Sequence, residues 1–157
     1  MARLTLAFVL ITGLFFVNAQ AEDLPLKEVF PEAVSFIPVI KGNEIVYYEA
    51  RDKKGKLAGA CFTATGKSYS EIRTLVGMFN DGTITAIKVL SQNETPGLGS
   101  KVAESEFTDR FRNIKDVSKV QAITGASVSS SAVIEAVKKR AEEIKSLMTN
   151  DKIQNSK

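Results

Sequence analysis

The chain has 157 residues, a formal net charge of +3, no histidine and one cysteine, Cys61. This length suits one domain with its own core, and the mild charge gives no reason to expect a nucleic-acid partner. The missing histidines and lone cysteine exclude histidine-based acid–base catalysis, histidine metal ligation, c-type haem attachment and an internal disulfide. Cys61 lies in an apolar run, where we expect a buried, inert thiol. A redox function would therefore need an organic cofactor.

Residues 1–21 have the pattern of a signal peptide. One positive charge, Arg3, precedes an apolar run over 4–17, which is shorter than the ~20 residues that span a bilayer. The Ala-Gln-Ala sequence at 19–21 predicts cleavage before Glu22. An uncleaved membrane anchor is the alternative. Both interpretations predict an exported protein, periplasmic or on the outer face of the cytoplasmic membrane.

We expect residues 22–150 to form the domain and 151–157 a polar tail. Apolar residues at helical spacing predict one or two short helices over 26–36 that cover a sheet. Pro31 interrupts this pattern and Pro38 ends it.

Four segments predict strands: three are rich in β-branched or aromatic residues, and one is an apolar run that follows the first segment across a polar turn. They are 44–50, 57–64, 72–79 and 83–90. Short polar turns join them, and the Asp81-Gly82 pair is a strong hairpin signal. We therefore predict an α+β fold with an antiparallel sheet of at least four strands, packed by helices over 26–36, 102–112 and 128–148. No glycine-rich dinucleotide turn follows a strand, which argues against a doubly wound fold.

The loop after the fourth strand reads Glu94-Thr95-Pro96-Gly97-Leu98-Gly99. Pro-Gly sets a turn, and the second glycine adds another permissive backbone position. A large apolar residue such as Leu98 is unusual between two glycines in a loop, which indicates that its side chain covers a ligand or another part of the protein. A plain turn before a helix over 104–112 is the alternative.

A second loop, Thr124-Gly125-Ala126-Ser127, opens the most regular amphipathic helix of the sequence. The hydroxyls could cap the unpaired N–H groups of the first turn. The same N–H groups and the helix dipole also favour a bound phosphate. The loop alone leaves both interpretations open.

Both loops in this order, with paired phenylalanines between them and a strand–Asn-Asp-Gly–strand unit before them, resemble the FMN-binding domain family. That family includes the G subunit of the Rnf electron-transport complex and the C subunit of the sodium-pumping NADH:quinone reductase. The resemblance covers roughly residues 45–145. It implies an FMN site at the start of the C-terminal helix.

By this resemblance, Ser127 is the hydroxyl that is esterified to the FMN phosphate, and Thr124, Gly125 and Ala126 complete the acceptor unit. A flavin transferase would form the bond by moving FMN from FAD. Two positions depart from the commoner family pattern: Gln121 replaces an aspartate, and the acceptor is serine rather than threonine. Ser129 and Thr124 are the rival acceptors.

The resemblance also brings the Pro-Gly loop against the flavin. Glu94 and Thr95 would hydrogen-bond polar flavin or ribityl atoms. Leu98 would cover the ring, and Gly97 and Gly99 would let the backbone come close.

The implied function is an exported electron carrier that uses FMN and serves a redox partner protein or a membrane electron-transport complex. A small FMN-dependent reductase and a non-redox binding module that kept the fold are the alternatives. A chain without histidine offers few acid–base groups for a substrate pocket near neutral pH, which favours the carrier.

Overall fold

The computed structural model describes the backbone of residues 23–154 and the side chains of 23–150. The predicted signal peptide, 1–21, lies outside these described residues. The elements in chain order are α1 (Leu26–Val29), β1 (Ser35–Lys41), β2 (Glu44–Arg51), β3 (Leu57–Lys67), β4 (Glu71–Phe79), β5 (Ile84–Ser91), α2 (Ser105–Thr108) and α3 (Ser127–Gln154).

The five strands form one antiparallel sheet in chain order. The predicted Asp-Gly turn joins β4 to β5: the Gly82 N–H donates to the Phe79 carbonyl at 2.9 Å, and Gly82 has φ 93°. The Asp81 carboxylate accepts from the Thr83 N–H at 2.9 Å. The antiparallel α+β fold is confirmed, and the four predicted strands match the observed bounds within three residues at each end.

The helix predicted over 26–36 is wrong after α1, because the chain then forms the additional strand β1. Phe36 pairs with Ala50 of β2, and the β-branched residues of β1 suit a strand. Pro38 has no N–H to give to a ladder, but β1 is an edge strand with one neighbour, where proline is tolerated. The hydrogen bonds that β1 forms with β2 stabilise the strand more than the weak helical spacing of its apolar residues favours a helix.

Helix α3 covers one face of the sheet. Its most deeply buried apolar residues are Val133, Val137, Ala141, Ile144 and Met148. A Cβ on Gly66 of β3 would lie 2.4 Å from the carbonyl oxygen of Ala132. Because glycine occupies that position, the start of α3 can lie directly against the end of β3.

The chain around α1 covers the opposite face. Val29 and Phe30 are buried there with Cys61 of β3. The Phe30 and Phe79 rings meet edge to face, with centroids 5.2 Å apart. Burial raises the pKa of the Cys61 thiol to about 12, which agrees with the buried, inert thiol expected from the sequence.

The single helix predicted over 102–112 is replaced by three short turns. They are a 3-10 turn at Gly99–Ala103, then α2, then a 3-10 turn at Asp109–Phe111. Glu104 has an extended backbone (φ −82°, ψ 154°), which separates the first turn from α2. Phe107 and Phe111 are both buried, with ring centroids 5.3 Å apart, so packing of this pair anchors the segment.

Helix α3 begins at Ser127, one residue before the predicted start, and continues to Gln154. The helical backbone therefore extends into the segment 151–157 that we expected to be a polar tail. Within residues 23–154, no helix is both long and apolar enough to cross a membrane.

Candidate functional site

The Pro-Gly loop after β5 is a well-defined turn. The Leu98 N–H and the Ser100 N–H both donate to the Thr95 carbonyl, each at 3.2 Å. Gly97 has φ 72°, the positive value that the third position of a type II turn requires, and the proline before it suits the second. The Gly97 N–H donates to the Ser100 hydroxyl at 3.0 Å. This bonding fixes a turn that leaves the Leu98 side chain 52% exposed.

A second turn leads into α3. The Ala126 N–H donates to the Ile123 carbonyl at 3.0 Å, and Gly125 has φ 82°. The Ser130 hydroxyl, fully buried, accepts from the Ile123 N–H at 3.1 Å. This contact ties the turn to the first turn of α3. Ser127 is consequently the first residue of the helix, with an exposed side chain.

Glu94 joins three segments of the chain. Its Oε1 accepts from the hydroxyls of Ser68 and Ser70, at 2.7 Å and 2.6 Å, and from the Ser70 N–H at 2.9 Å. Its Oε2 accepts from the Ser129 hydroxyl at 2.6 Å. One buried carboxylate therefore holds the β3–β4 turn, the Pro-Gly loop and the start of α3 together.

The Glu94 carboxyl is ionised over nearly the whole pH range. Burial raises its pKa, but the hydrogen bonds from Ser129, Ser70 and Ser68 outweigh burial and lower the pKa from 4.5 to about 2. Hydrogen bonds to the charged form produce this direction of shift. The network is therefore built around a carboxylate anion.

Gly99 lies at the centre of this network. A Cβ at this position would lie 2.7 Å from the Ser129 Oγ and 2.8 Å from both the Cβ and Oε2 of Glu94. No side chain fits there without displacing one of them. The sequence resemblance assigns Gly99 a close approach to the flavin, and the structure adds a close approach to Glu94 and Ser129.

These segments enclose one open cleft of about 380 Å³. It is lined by Tyr69, Thr95, Leu98, Gly99, Gly125, Ala126, Ser127, Val128 and Ser129. The structure thus brings together six of the predicted site residues from two loops that are distant in sequence. Gly97 and Thr124 belong to the two turns but are not among the lining residues.

Glu94 is only 5% exposed, and it is likewise not among the lining residues. Both of its oxygens accept hydrogen bonds from serines of the protein, and the flavin contact expected from the sequence stays a prediction. It supports the cleft from behind, through Gly99 and Ser129.

Three lining residues were not in the predicted binding set: Tyr69, Val128 and Ser129. Tyr69 and Val128 are exposed, at 79% and 54%. The Ser-Tyr-Ser sequence places one aromatic residue in an otherwise polar turn, which is the signal that could have identified Tyr69. Ser129 was expected from the sequence only as a rival acceptor.

The hydroxyls near the start of α3 differ in availability. Ser129 and Ser130 are 2% and 0% exposed, and both hydroxyls bond within the protein. Ser127 and Thr124 are exposed, and of these two Ser127 lines the cleft. Ser127 therefore combines an exposed side chain with a place in the cleft lining.

The cleft fits a ligand that joins a phosphate to an apolar ring. Its volume is within the ordinary range for small-molecule sites. One end has the helix N-terminus, where N–H groups and the dipole favour an anion. Leu98, Tyr69 and Val128 supply exposed apolar surface beside it. Among the described residues, no cluster of side chains could hold a metal ion.

The fold and cleft thus define an α+β ligand-binding domain suited to a phosphate-bearing cofactor. Residues 68–142 match the sequence profile of the family described as the FMN-binding domain. The G subunit of an ion-translocating oxidoreductase complex from Methanosarcina acetivorans is 32% identical over 137 residues, covering 76% of this chain and 73% of that protein. The chain belongs to the FMN-binding domain family.

Two further proteins are similar to this chain. The G subunit of the Na(+)-translocating ferredoxin:NAD(+) oxidoreductase complex of Acetobacterium woodii is 29% identical over 150 residues, covering 76% of this chain and 72% of that protein. The crystal structure of Shewanella oneidensis NqrC has a TM-score of 0.51 at 24% identity, covering 58% of this chain and 52% of that chain. The similarity to the NqrC structure supports the fold. The family profile and the relative from Methanosarcina acetivorans confirm the family that the two loops predicted.

Proposed function

We propose that this chain is an exported electron-transfer subunit that carries FMN on Ser127 and exchanges electrons with a membrane redox complex. The observation that carries the proposal is the exposed Ser127 hydroxyl at the start of α3, inside a cleft formed by both motif loops. Membership of the FMN-binding domain family supports FMN as the cofactor. Relatives named as the G subunits of ion-translocating complexes support a complex as partner.

The bond to Ser127 is a phosphoester made from FAD. The Ser127 oxygen attacks the FMN phosphorus, the pyrophosphate bond of FAD breaks, AMP leaves, and the hydroxyl proton passes to a base or to solvent. The small neighbours Gly125 and Ala126 leave room for a flavin transferase to reach this hydroxyl. The helix dipole stabilises the remaining negative charge of the phosphodiester.

The protein's part in electron transfer is to hold the cofactor in a fixed place. A bound flavin would supply one- or two-electron chemistry, and the side chains of the cleft would set its surroundings. The cleft is open at the surface, so a flavin held there would remain accessible to a partner protein. The predicted signal peptide supports export to the side of the membrane on which such a subunit would work.

The test is production of the full chain with and without a flavin transferase, followed by a denaturing gel viewed for flavin fluorescence. The unmutated chain should fluoresce only when the transferase is present, and Ser127→Ala should not fluoresce. Ser131→Ala, also exposed and one helical turn further on, is the matched control and should fluoresce. A fluorescent Ser127→Ala protein would refute the acceptor assignment.

The same preparation separates the alternative functions. A carrier should show a flavin band that bleaches with dithionite and returns with an added electron acceptor. Steady turnover of a small substrate by the isolated chain would favour the reductase instead. A colourless chain that binds no flavin under either condition would leave only the non-redox binding module.

A further inference from the structure

Exposed apolar side chains concentrate around the cleft. Six large hydrophobic residues are exposed among the described residues, and three of them, Tyr69, Leu98 and Val128, line this cleft. Tyr69 is the most exposed of the six, at 79%. Exposed apolar residues gathered at one groove mark a ligand surface more strongly than single scattered ones. The Tyr69 ring is thus a candidate contact for an aromatic ligand.

The turn that carries Tyr69 is fixed on both sides. The Ser68 N–H donates to the Ser70 carbonyl at 3.0 Å. The hydroxyls of both serines donate to Oε1 of Glu94, as does the Ser70 N–H. The residues before and after Tyr69 are therefore tied to one carboxylate oxygen, which limits where the ring can lie.

The other oxygen of that carboxylate connects to the proposed attachment site. Oε2 of Glu94 accepts from Ser129, two residues beyond Ser127 in the first turn of α3. A glutamine would keep only one of these two acceptors, because its NH₂ group could donate to the Ser129 hydroxyl oxygen but could not accept the Ser129 proton. The carboxylate thus couples the turn of Tyr69 to the helix start.

We infer that Tyr69 contacts the isoalloxazine ring of FMN in this cleft and that Glu94 is the positioning residue that holds Tyr69 there. This inference rests on the proposed function. Aromatic rings stack readily on flat π-systems, and a tyrosine offers a large contact with few rotatable bonds. The phosphate at Ser127 and the ring beside Tyr69 would be the two ends of one ligand, aligned through Glu94.

The first test compares Tyr69→Phe and Tyr69→Ala in the full chain holding FMN, attached at Ser127 or added free. A phenol in contact with a flavin quenches its fluorescence by electron transfer, and a phenyl ring does so poorly. Both variants should therefore have a higher flavin fluorescence yield. Free FMN should bind about tenfold more weakly to Tyr69→Ala, the size of effect that aromatic stacking gives, and nearly normally to Tyr69→Phe. Ile37→Ala, exposed on β1, is the control and should match the parent.

The second test asks whether Glu94 acts through Tyr69. Glu94→Gln should raise the flavin fluorescence yield, and the double variant with Tyr69→Phe should show little further rise, because both changes remove the same contact. Glu135→Gln, on the exposed side of α3, is the matched control. If Glu94→Gln does not fold by circular dichroism, Ser70→Ala removes one hydroxyl donor, keeps the N–H bond and should give a smaller rise.

The outcomes separate this inference from the proposed function. An unmutated chain that takes up no flavin would overturn both. Normal flavin binding with unchanged yield and affinity in both Tyr69 variants would overturn the ring contact alone. Additive effects of Glu94→Gln and Tyr69→Phe would overturn the positioning role of Glu94.

Discussion

The hydroxyl of Ser129 donates a 2.6 Å hydrogen bond to Oε2 of Glu94, across a sequence separation of 35 residues. Both residues are buried, and Gly99 lies against both of them. This contact joins the Pro-Gly loop to the start of α3. The two loops form a single cleft because this buried carboxylate holds them at a fixed distance.

Replacing Glu94 should change how stability depends on pH. The Glu94 pKa is about 2 in the folded protein and 4.5 as its ordinary value. Between these values the unfolded chain binds more protons, so acid lowers the free energy of unfolding. This contribution is complete above about pH 4.5 and is lost as the pH falls towards 2.

Glu94→Gln should therefore lose this part of the pH dependence. It should also be less stable at neutral pH by about 1–3 kcal/mol, because a buried hydroxyl loses its acceptor. Urea unfolding at several pH values between 3 and 7 measures both effects, with Glu135→Gln as the control. An unchanged pH dependence in Glu94→Gln would contradict the network.

The two glycines of the Pro-Gly loop should respond differently to alanine. Gly99→Ala would force a Cβ to within 2.8 Å of Glu94 and Ser129, so we expect a loss of about 1–3 kcal/mol and reduced flavin loading. Gly97→Ala meets no atom within 4 Å, but its φ of 72° costs about 1–2 kcal/mol. It should load flavin normally. If the Gly99→Ala and Gly97→Ala proteins took up the same amount of flavin, the close packing of Gly99 against Glu94 and Ser129 would not be needed for flavin binding.

Ser130 should stabilise the turn before the acceptor. Ser130→Ala leaves the Ile123 N–H without its partner, which should cost about 1–3 kcal/mol and increase hydrogen exchange at Ile123. The exposed neighbour Ser131→Ala is the control and should change stability by less than about 0.5 kcal/mol. Thermal unfolding and amide exchange measure the two effects, and indistinguishable variants would refute this role.

Export can be tested on the protein recovered from cells. We expect the mature chain to begin at Glu22, because the apolar run and the Ala-Gln-Ala sequence fit signal-peptide cleavage. N-terminal sequencing of the periplasmic fraction measures this directly. Recovery of an intact Met1 in the membrane fraction would favour the uncleaved anchor.

Local sequence signals predicted most of the sheet. The strands flanking Asp81-Gly82 were found because hairpin turns and β-branched runs are properties of neighbouring residues. The sequence does not reveal the edge strand β1, because Pro31 and Pro38 flank or interrupt a segment that has a weak helical spacing. Its strand conformation depends on hydrogen bonds to β2, its only neighbour in the described sheet. Such tertiary pairing is not visible in a short window of sequence.

The site was predicted only in part for a related reason. The acceptor unit and the Pro-Gly loop are short motifs, and the family resemblance identified both. The role of Glu94 depends on Ser68, Ser70 and Ser129, which lie 24 to 35 residues away. Serine is too common in turns for such contacts to be deduced from spacing. The place of Tyr69 in the cleft is equally hidden in the sequence, because it depends on the hydrogen bonds from Ser68 and Ser70 to Glu94.

The central claim is that FMN is attached to Ser127, and peptide mass spectrometry tests it most directly. Trypsin cleavage after Lys119 and Lys138 gives one peptide, residues 120–138, which contains Thr124, Ser127 and Ser129. For protein made with a flavin transferase, we predict the mass of FMN, less one water, on this peptide, with fragment ions that assign it to Ser127. A flavin mass on Thr124 or Ser129, or an unmodified peptide from transferase-treated protein, would contradict this claim.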